Sequence, residues 1–468
     1  MNKRYTFFLG ILLILLSACN LPALFQTDNG DETAGQPAAE EELEGGEPFS
    51  LTASLPPVET CPGSLPALVT DLQVYQPPEM PEPEVRQPFL DPVFGTCLVR
   101  ITDRRSDPTG EDRSAGMKNE YSRVQSFNAD GSLMIVRSIE SYWYVYDVAS
   151  LQRLGRIPLE VEPRWGAENP HLVYHIDGAR LLAYDLESAT QALVHDFSED
   201  FPGTKLGAVW TRYEGSPSAD TRYWGLMAED EQWETIALLV YDFAENRVIS
   251  KRLLPDKPSL DSVTISPLGN FFLAYHDDYC AAGELGSAAH PCGLMVYDRS
   301  LENPRGLLRI IGHSDTALDA DGREVLIYQD IDTDNISMLD LQSGEITPLA
   351  PIDYTYSSIG LHFSGRAFER PGWAVVSIYN GSHPQSRTWM DDVVFAIELK
   401  PNPRIIRLAH THSRFSEAIE KDYWAEPQAS VNPDFTRLVF TSNWGRSGTE
   451  EVEMWMIMLP QDWTELLP

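Results

Sequence analysis

The sequence predicts an all-β protein: a seven-bladed β-propeller closed by an N-terminal strand, following a signal peptide and an acidic tether. Three observations carry that reading: two recurring blocks, their even spacing, and a last repeat that runs out one strand short. The first block is a small residue, an apolar one, Asn/Ser/Asp, then a turn. It occurs at Ser126-Phe127-Asn128-Ala129-Asp130-Gly131, Thr264-Ile265-Ser266-Pro267-Leu268-Gly269, Ala317-Leu318-Asp319-Ala320-Asp321-Gly322 and Ser430-Val431-Asn432-Pro433-Asp434-Phe435. Each copy precedes a β-rich apolar run, such as Leu133 to Val136, so it reads as strand, tight turn, strand. The second block is an apolar strand ending in an acid: Val145-Tyr146-Asp147, Ala183-Tyr184-Asp185, Val240-Tyr241-Asp242, Val296-Tyr297-Asp298, Met338-Leu339-Asp340 and Ala396-Ile397-Glu398, with Met454 to Leu459 last. Seven copies across 312 residues make six steps of 52, the length of a four-stranded blade. Blades two, three and six keep the pattern less clearly, which leaves six and eight as the neighbouring counts.

The chain enters this repeat from an address. Lys3 and Arg4 precede an apolar stretch from Phe7 to Leu16, then Leu16-Ser17-Ala18-Cys19. Residues 1–18 form a signal peptide, too short to span a membrane. Its last four residues resemble the lipobox of bacterial lipoproteins, and the resemblance implies cleavage before Cys19 and diacylglycerol on its thiol. Two or three acyl chains, at about 0.8 kcal/mol per buried CH₂, make such attachment effectively permanent. The expected location is therefore the bacterial cell envelope, on the extracytoplasmic face of a membrane. Asn20 carries no inner-membrane retention signal of the Asp kind, so outer membrane and cell surface both stay open.

Residues 19–93 follow as the lipidated cysteine and an acidic tether. Thirteen acidic residues and no Lys or Arg lie between Asn20 and Val85. Such a composition buries too little apolar surface to offset its chain entropy. The whole chain holds 468 residues, with 70 acidic against 35 basic and a formal charge of −35. Phosphate binding needs clustered Lys and Arg, so nucleic acid is excluded as a partner. The partners that fit are the membrane, through the anchor, and a glycan, peptide or envelope protein; a monomer is expected.

Cys61, Cys97, Cys280 and Cys292 remain, an even number in an oxidising compartment, and disulfides are the default there. Cys280 and Cys292 bracket the loop Ala281 to Pro291, and a Cys61–Cys97 bridge pins the tether to the first strand. The alternative is a zinc site of His276, Cys280, His290 and Cys292. Asp330, Asp332 and Asp334 alternate like a calcium loop, without its Gly and Glu, and read as an acidic turn.

The propeller occupies residues 94–460, with 461–468 as a tail. Cys97-Leu98-Val99-Arg100-Ile101-Thr102 matches the outer strands Arg305 to Ile311 and Arg404 to Leu408, so it should pair with Met454 to Leu459 and close the ring. The blocks resemble those of TolB-like propellers, whose repeats carry a Ser/Asn-Pro-Asp-Gly turn, and this resemblance implies the fold.

In a propeller the innermost strands converge on the axis. Aligning the blocks puts Ser122, Leu260, His313 and Glu426 at one level and Val124, Ser262, Asp315 and Gln428 two residues on, with His362, Arg366 and Arg370 of blade six nearby. Such a His/Asp/Glu/Gln/Arg cluster can hold a divalent metal or an anionic ligand, and equally can hold blades in register. Tyr423-Trp424 before Glu426 suits stacking on a sugar or peptide, or core packing. Seven-bladed oligogalacturonate lyases are similar in having the same turn and strand in a late blade, preceded by a His-Pro-His element that binds a divalent metal. The matching stretch here is Glu426-Pro427-Gln428, so both histidines are replaced. Two functions follow: a binding or scaffold module at the channel mouth, or a metal-assisted polysaccharide lyase or hydrolase. The second would use Glu426, Gln428, His313 and His362 as ligands and Arg366 or Arg370 on a substrate carboxylate.

Overall fold

Each repeat block closes its turn with its own polar side chain, which is why the blocks recur. In the first block the Asn/Ser/Asp side chain accepts the backbone N–H five, or in one case four, residues on. Asn128 takes Leu133 at 2.9 Å, Ser218 takes Tyr223 at 3.0 Å, Ser266 takes Phe271 at 2.9 Å, Asp319 takes Arg323 at 2.9 Å and Asn432 takes Arg437 at 2.8 Å. In the second block the terminal acid caps the next turn. Asp147 accepts Ser150 N at 2.6 Å, Asp185 accepts Ser188 N at 2.9 Å, Asp298 accepts Glu302 N at 2.9 Å and Glu398 accepts Arg404 N at 2.9 Å.

The computed structural model describes residues 50–61, 66–354, 359–380, 387–416 and 418–467. Cys19, the signal peptide, the first part of the tether and His383 lie outside the described residues. Among the described residues no helix is long and apolar enough to cross a membrane.

Seven antiparallel sheets form the blades. Blade 1 covers 117–157, blade 2 161–196, blade 3 206–253, blade 4 260–308, blade 5 314–351 and blade 6 359–410, each with four strands. Blade 7 joins Ser430–Val431, Arg437–Ser442 and Glu453–Met458 to the N-terminal strand Cys97–Arg100, with Phe89–Leu90 as a fifth strand. Cys97 pairs with Met458 and Arg100 with Trp455, as ring closure requires. The seam is strengthened by Glu453, whose buried carboxylate accepts Thr102 Oγ1 at 2.6 Å, Arg104 N at 3.0 Å and Arg104 Nη1 at 2.6 Å. The core lies between neighbouring blades, as where Val376, Phe395 and Ile397 of blade 6 meet Val325 and Ile327 of blade 5.

The structure corrects two boundaries. Residues 66–93, assigned by composition to the tether, lie on the propeller wall. Arg407 N donates to Val69 O at 2.9 Å, Arg86 N to Arg100 O at 2.9 Å, and Leu68 is buried. Glu82 is met by Arg100 at 3.5 Å, Arg104 at 3.2 Å and Arg446 at 2.9 Å. Composition misleads because Glu82, which looks repulsive along the chain, faces guanidinium groups of blade 7. The tail also packs: Trp463 is buried with its ring 5.2 Å from those of both Trp373 and Phe435.

Both disulfides form, Cys61–Cys97 and Cys280–Cys292, with Cα separations of 5.6 and 5.2 Å. The zinc alternative therefore fails, because its two thiolates are spent on each other. Asp330 closes its own turn, accepting Asp332 N at 3.2 Å and Thr333 Oγ1 at 2.7 Å. Cys61→Ala/Cys97→Ala should lower unfolding free energy by about 2–4 kcal/mol and open 66–93 to protease. Equilibrium denaturation with limited proteolysis checks this, and an unchanged midpoint would refute the pinning role.

Candidate functional site

The axis is filled, and blade 1 fills it. Its innermost strand is only Met117–Lys118; the chain then leaves the strand, and residues 119–125 reach every other blade. Glu120 meets Arg164 of blade 2 at 3.0 Å, and Arg123 meets Glu214 of blade 3 at 2.8 Å. The Arg123 guanidinium stands 5.2 Å above the Tyr275 ring of blade 4. Tyr121 Oη lies 3.2 Å from His313 Nδ1 of blade 5, and its ring edge lies against His362 of blade 6 with 5.5 Å between centroids. Ser430 of blade 7 donates to Val124 O at 2.6 Å. Ser122 and Val124 thus do not sit on a strand face beside Leu260 and Ser262, as block alignment expects. They belong to a plug.

At one end of the plug lies the predicted cluster, with one cation that the sequence did not reveal. Lys118 Nζ donates to the carbonyls of Asn119 at 2.8 Å and Glu120 at 2.9 Å, and to Gln428 Oε1 at 2.8 Å. Gln428 turns toward it from a left-handed backbone, φ 45°. Glu426 Oε2 lies 3.4 Å from His362 Nε2, and the His362 and His313 rings are 4.5 Å apart. All are buried. Burial pushes the Glu426 carboxyl up to about 8 and, with Arg137, the Lys118 amine down to about 7. Burial, with Arg123, lowers His313 to about 4, and burial with His313 holds His362 well below the usual imidazole range. Each charged form is disfavoured, so at pH 7 Glu426 is mainly protonated and the imidazoles mainly neutral, while the Lys118 amine sits near its midpoint.

Asp315 and Arg366 lie deeper, as a buried bidentate pair with Nε at 3.1 Å, and Gly365 N adds a bond at 2.8 Å. Arg370 is not part of the site: it donates to Gln461 O at 2.8 Å and covers Trp463. Trp424 is half-buried against Tyr423, at the rim and outside the core.

The lyase reading implies a divalent metal on Glu426, Gln428, His313 and His362, and these donors do not fit one. Gln428 already accepts an ammonium, Glu426 faces His362, and His313 faces the Tyr121 hydroxyl. Among the described residues no three His, Cys, Asp or Glu side chains are grouped to hold a metal ion.

Sequence reasoning missed Lys118, Tyr121, Arg123 and Glu214. The available signal was Glu120-Tyr121-Ser122-Arg123, four charged or polar residues in a row directly after the short strand Met117–Lys118. It also missed the rim of blade 3. There Trp210 lies 5.1 Å from Tyr213 and 5.9 Å from Trp233 between ring centroids.

A seven-bladed propeller with a plugged axis is the class that fold and site define. The chain is similar to an oligogalacturonate lyase in complex with manganese at 14% identity, with a TM-score of 0.56, over 81% of this chain and 97% of that one. An oligogalacturonate lyase from Vibrio parahaemolyticus follows at 11% identity and TM-score 0.53, over the same 81% and 97%. Likeness at such identity establishes the fold alone. No protein-family model and no curated protein matches the chain.

Proposed function

We propose that this chain is a lipid-anchored binding module of a bacterial cell envelope, recognising a glycan, peptide or envelope protein at the mouth of its plugged axis. The observation that carries the reading is the occupation of the axis. Most donors and charges that an enzyme on this scaffold would offer to metal and substrate are engaged with one another and with residues 119–125, the buried Nδ1 of His362 being an exception. Arg366, which would hold a substrate carboxylate in the lyase alternative, is committed to Asp315. The acidic surface supports the same reading, since 70 acids against 35 bases repel a polyanionic substrate. Anchoring rests on Cys19 and the lipobox-like residues before it.

The test is a thermal-shift series on the full chain, stripped with EDTA and titrated with Mn²⁺, Zn²⁺ or Ca²⁺. The expected result is no stabilisation that depends on Glu426 and Gln428. Stabilisation of about 2–3 kcal/mol at a hundredfold excess over Kd, abolished in Glu426→Ala/Gln428→Ala, would replace this reading with the metal-enzyme one. In the same preparation Cys19→Ala should abolish palmitate labelling and release the chain from the membrane pellet.

A further inference from the structure

We infer that Trp210, Tyr213 and Trp233 on blade 3 form a stacking platform for a neutral glycan, an inference that rests on the binding reading above and names its ligand class. Trp233 is 56% exposed and Tyr213 47%, while Trp210 lies half-buried between them. Large aromatics left this open in one cluster are unusual for a surface that meets only water.

The platform is held in place. Trp210 Nε1 donates to Glu229 Oε2 at 3.1 Å, and Arg212 reaches the other oxygen of that buried carboxylate at 3.1 Å. Tyr213 N donates to Glu162 Oε1 at 2.6 Å, and Trp233 N to Asp230 O at 2.9 Å. Arg212, Tyr213 and Trp233 all adopt left-handed backbone, with φ 60°, 71° and 61°. That conformation is rare for bulky residues, and three instances in one patch mark a surface held against local preference, as binding sites are. Rings fixed in advance lose little freedom when a ligand arrives. The patch borders the plug: Arg212 also bonds Leu260 O of blade 4, and Glu214, next to Tyr213, holds Arg123.

Charge selects the ligand. The hairpin tip carries Asp230, Glu231 and Glu234, and its cations are already engaged: Lys257 bonds Asp230 at 2.8 Å and also Glu234, and Lys205 bonds Glu231 at 3.3 Å. A polyuronate would meet repulsion. A neutral sugar chain can lay its C–H face on the rings and donate hydroxyl hydrogens to the carboxylates.

The experiment is calorimetry and tryptophan quenching on the full chain, with a neutral glucan hexamer, an N-acetylglucosamine hexamer, an oligogalacturonate and an oligolysine as probes. A neutral hexamer should bind, and Trp233→Ala should weaken it about tenfold or more, as loss of an aromatic anchor does. Trp233→Phe should restore most of the affinity, and circular dichroism should be unchanged in both variants. Neutral-hexamer binding unaffected by Trp233→Ala overturns the platform while leaving the binding module standing. Binding of oligolysine alone also overturns the glycan assignment. Release of new reducing or unsaturated ends from any probe overturns the binding reading itself.

Discussion

Arg123→Ala should be among the most destabilising single substitutions in the chain, lowering unfolding free energy by about 3–5 kcal/mol, the usual cost of removing one partner of a buried ion pair. Arg123 is buried, meets Glu214 at 2.8 Å and lies over the Tyr275 and Tyr121 rings at 5.2 and 5.8 Å. Its carbonyl accepts Ser216 Oγ at 3.1 Å. Beside it Asp261 is pushed up to about 7 by burial and by the Glu214 charge, with Arg123 the leading opposing influence. Without the guanidinium, Glu214 and Asp261 face each other uncompensated. An acid with a raised folded pKa contributes stability at low pH and loses it as pH rises toward that value. The deficit of the variant should therefore be larger at pH 8 than at pH 5.5, as read from urea midpoints at the two pH values. A loss below about 1 kcal/mol, the scale of an exposed ion pair, would mean that the plug is not a structural keystone.

How much of this was legible follows from what the repeat encodes. Blade count and ring closure could be read because most blades use the same turn-closing groups, an Asn/Ser/Asp before the second strand and an acid after the third. Asn128 and Asn432 make the same bond more than three hundred residues apart. The same logic picked His313, Glu426 and Gln428, which the structure brings to one cluster with Lys118 and His362, and Asp315, which pairs with Arg366. It failed at Ser122 and Val124, because a repeat alignment assumes a strand where blade 1 has only Met117–Lys118. The partners of Lys118 and Arg123 could not be inferred locally either, since Gln428 lies 310 positions away and contact across the axis has no sequence period. Composition misjudged residues 66–93 for the same reason: Glu82 looks solvated until Arg446, 364 positions on, is brought to it. The blade 3 platform was invisible because Trp233 sits on a hairpin tip, where blades do not repeat.

The second large effect is on pH. Six imidazoles, four buried and two half-buried, are held neutral: desolvation lowers His175, His276, His313 and His412 to about 4 and His410 to about 3, and holds His362 well below the ordinary value. Nearby cations add to burial at three of them, Arg123 at His313, Arg123 and Lys118 at His362, and Arg407 and Arg387 at His410. For such groups the unfolded chain binds protons that the folded chain refuses, so stability is present above the unfolded pKa near 6.5 and is lost as pH falls toward 4. Buried acids act in the opposite sense, among them three with large shifts. Glu426 near 8, with Asp261 and Glu453 near 7, contribute stability at low pH that is lost as pH rises. The imidazoles outnumber these acids below pH 6.5, and just above it the acids are opposed by Lys118, whose amine burial lowers from 10.5 to about 7, so the steeper limb should lie on the acid side and the alkaline side should be shallow. Each net proton that the unfolded chain takes up in excess of the folded one costs about 1.4 kcal/mol per pH unit between pH 6.5 and 4. His412→Phe keeps the stack on Trp444, where the rings are 4.2 Å apart, and should make the acid limb shallower by up to about 1.4 kcal/mol per pH unit. Glu426→Gln should remove a contribution that falls from pH 4.5 to 8, so the acid limb steepens over pH 4.5–6.5 and stability above pH 7 falls less. Denaturant midpoints across pH 4–9 read both effects, and a stability that stays level or climbs from pH 6.5 down to 4 would show that these histidines take up protons without unfolding the propeller.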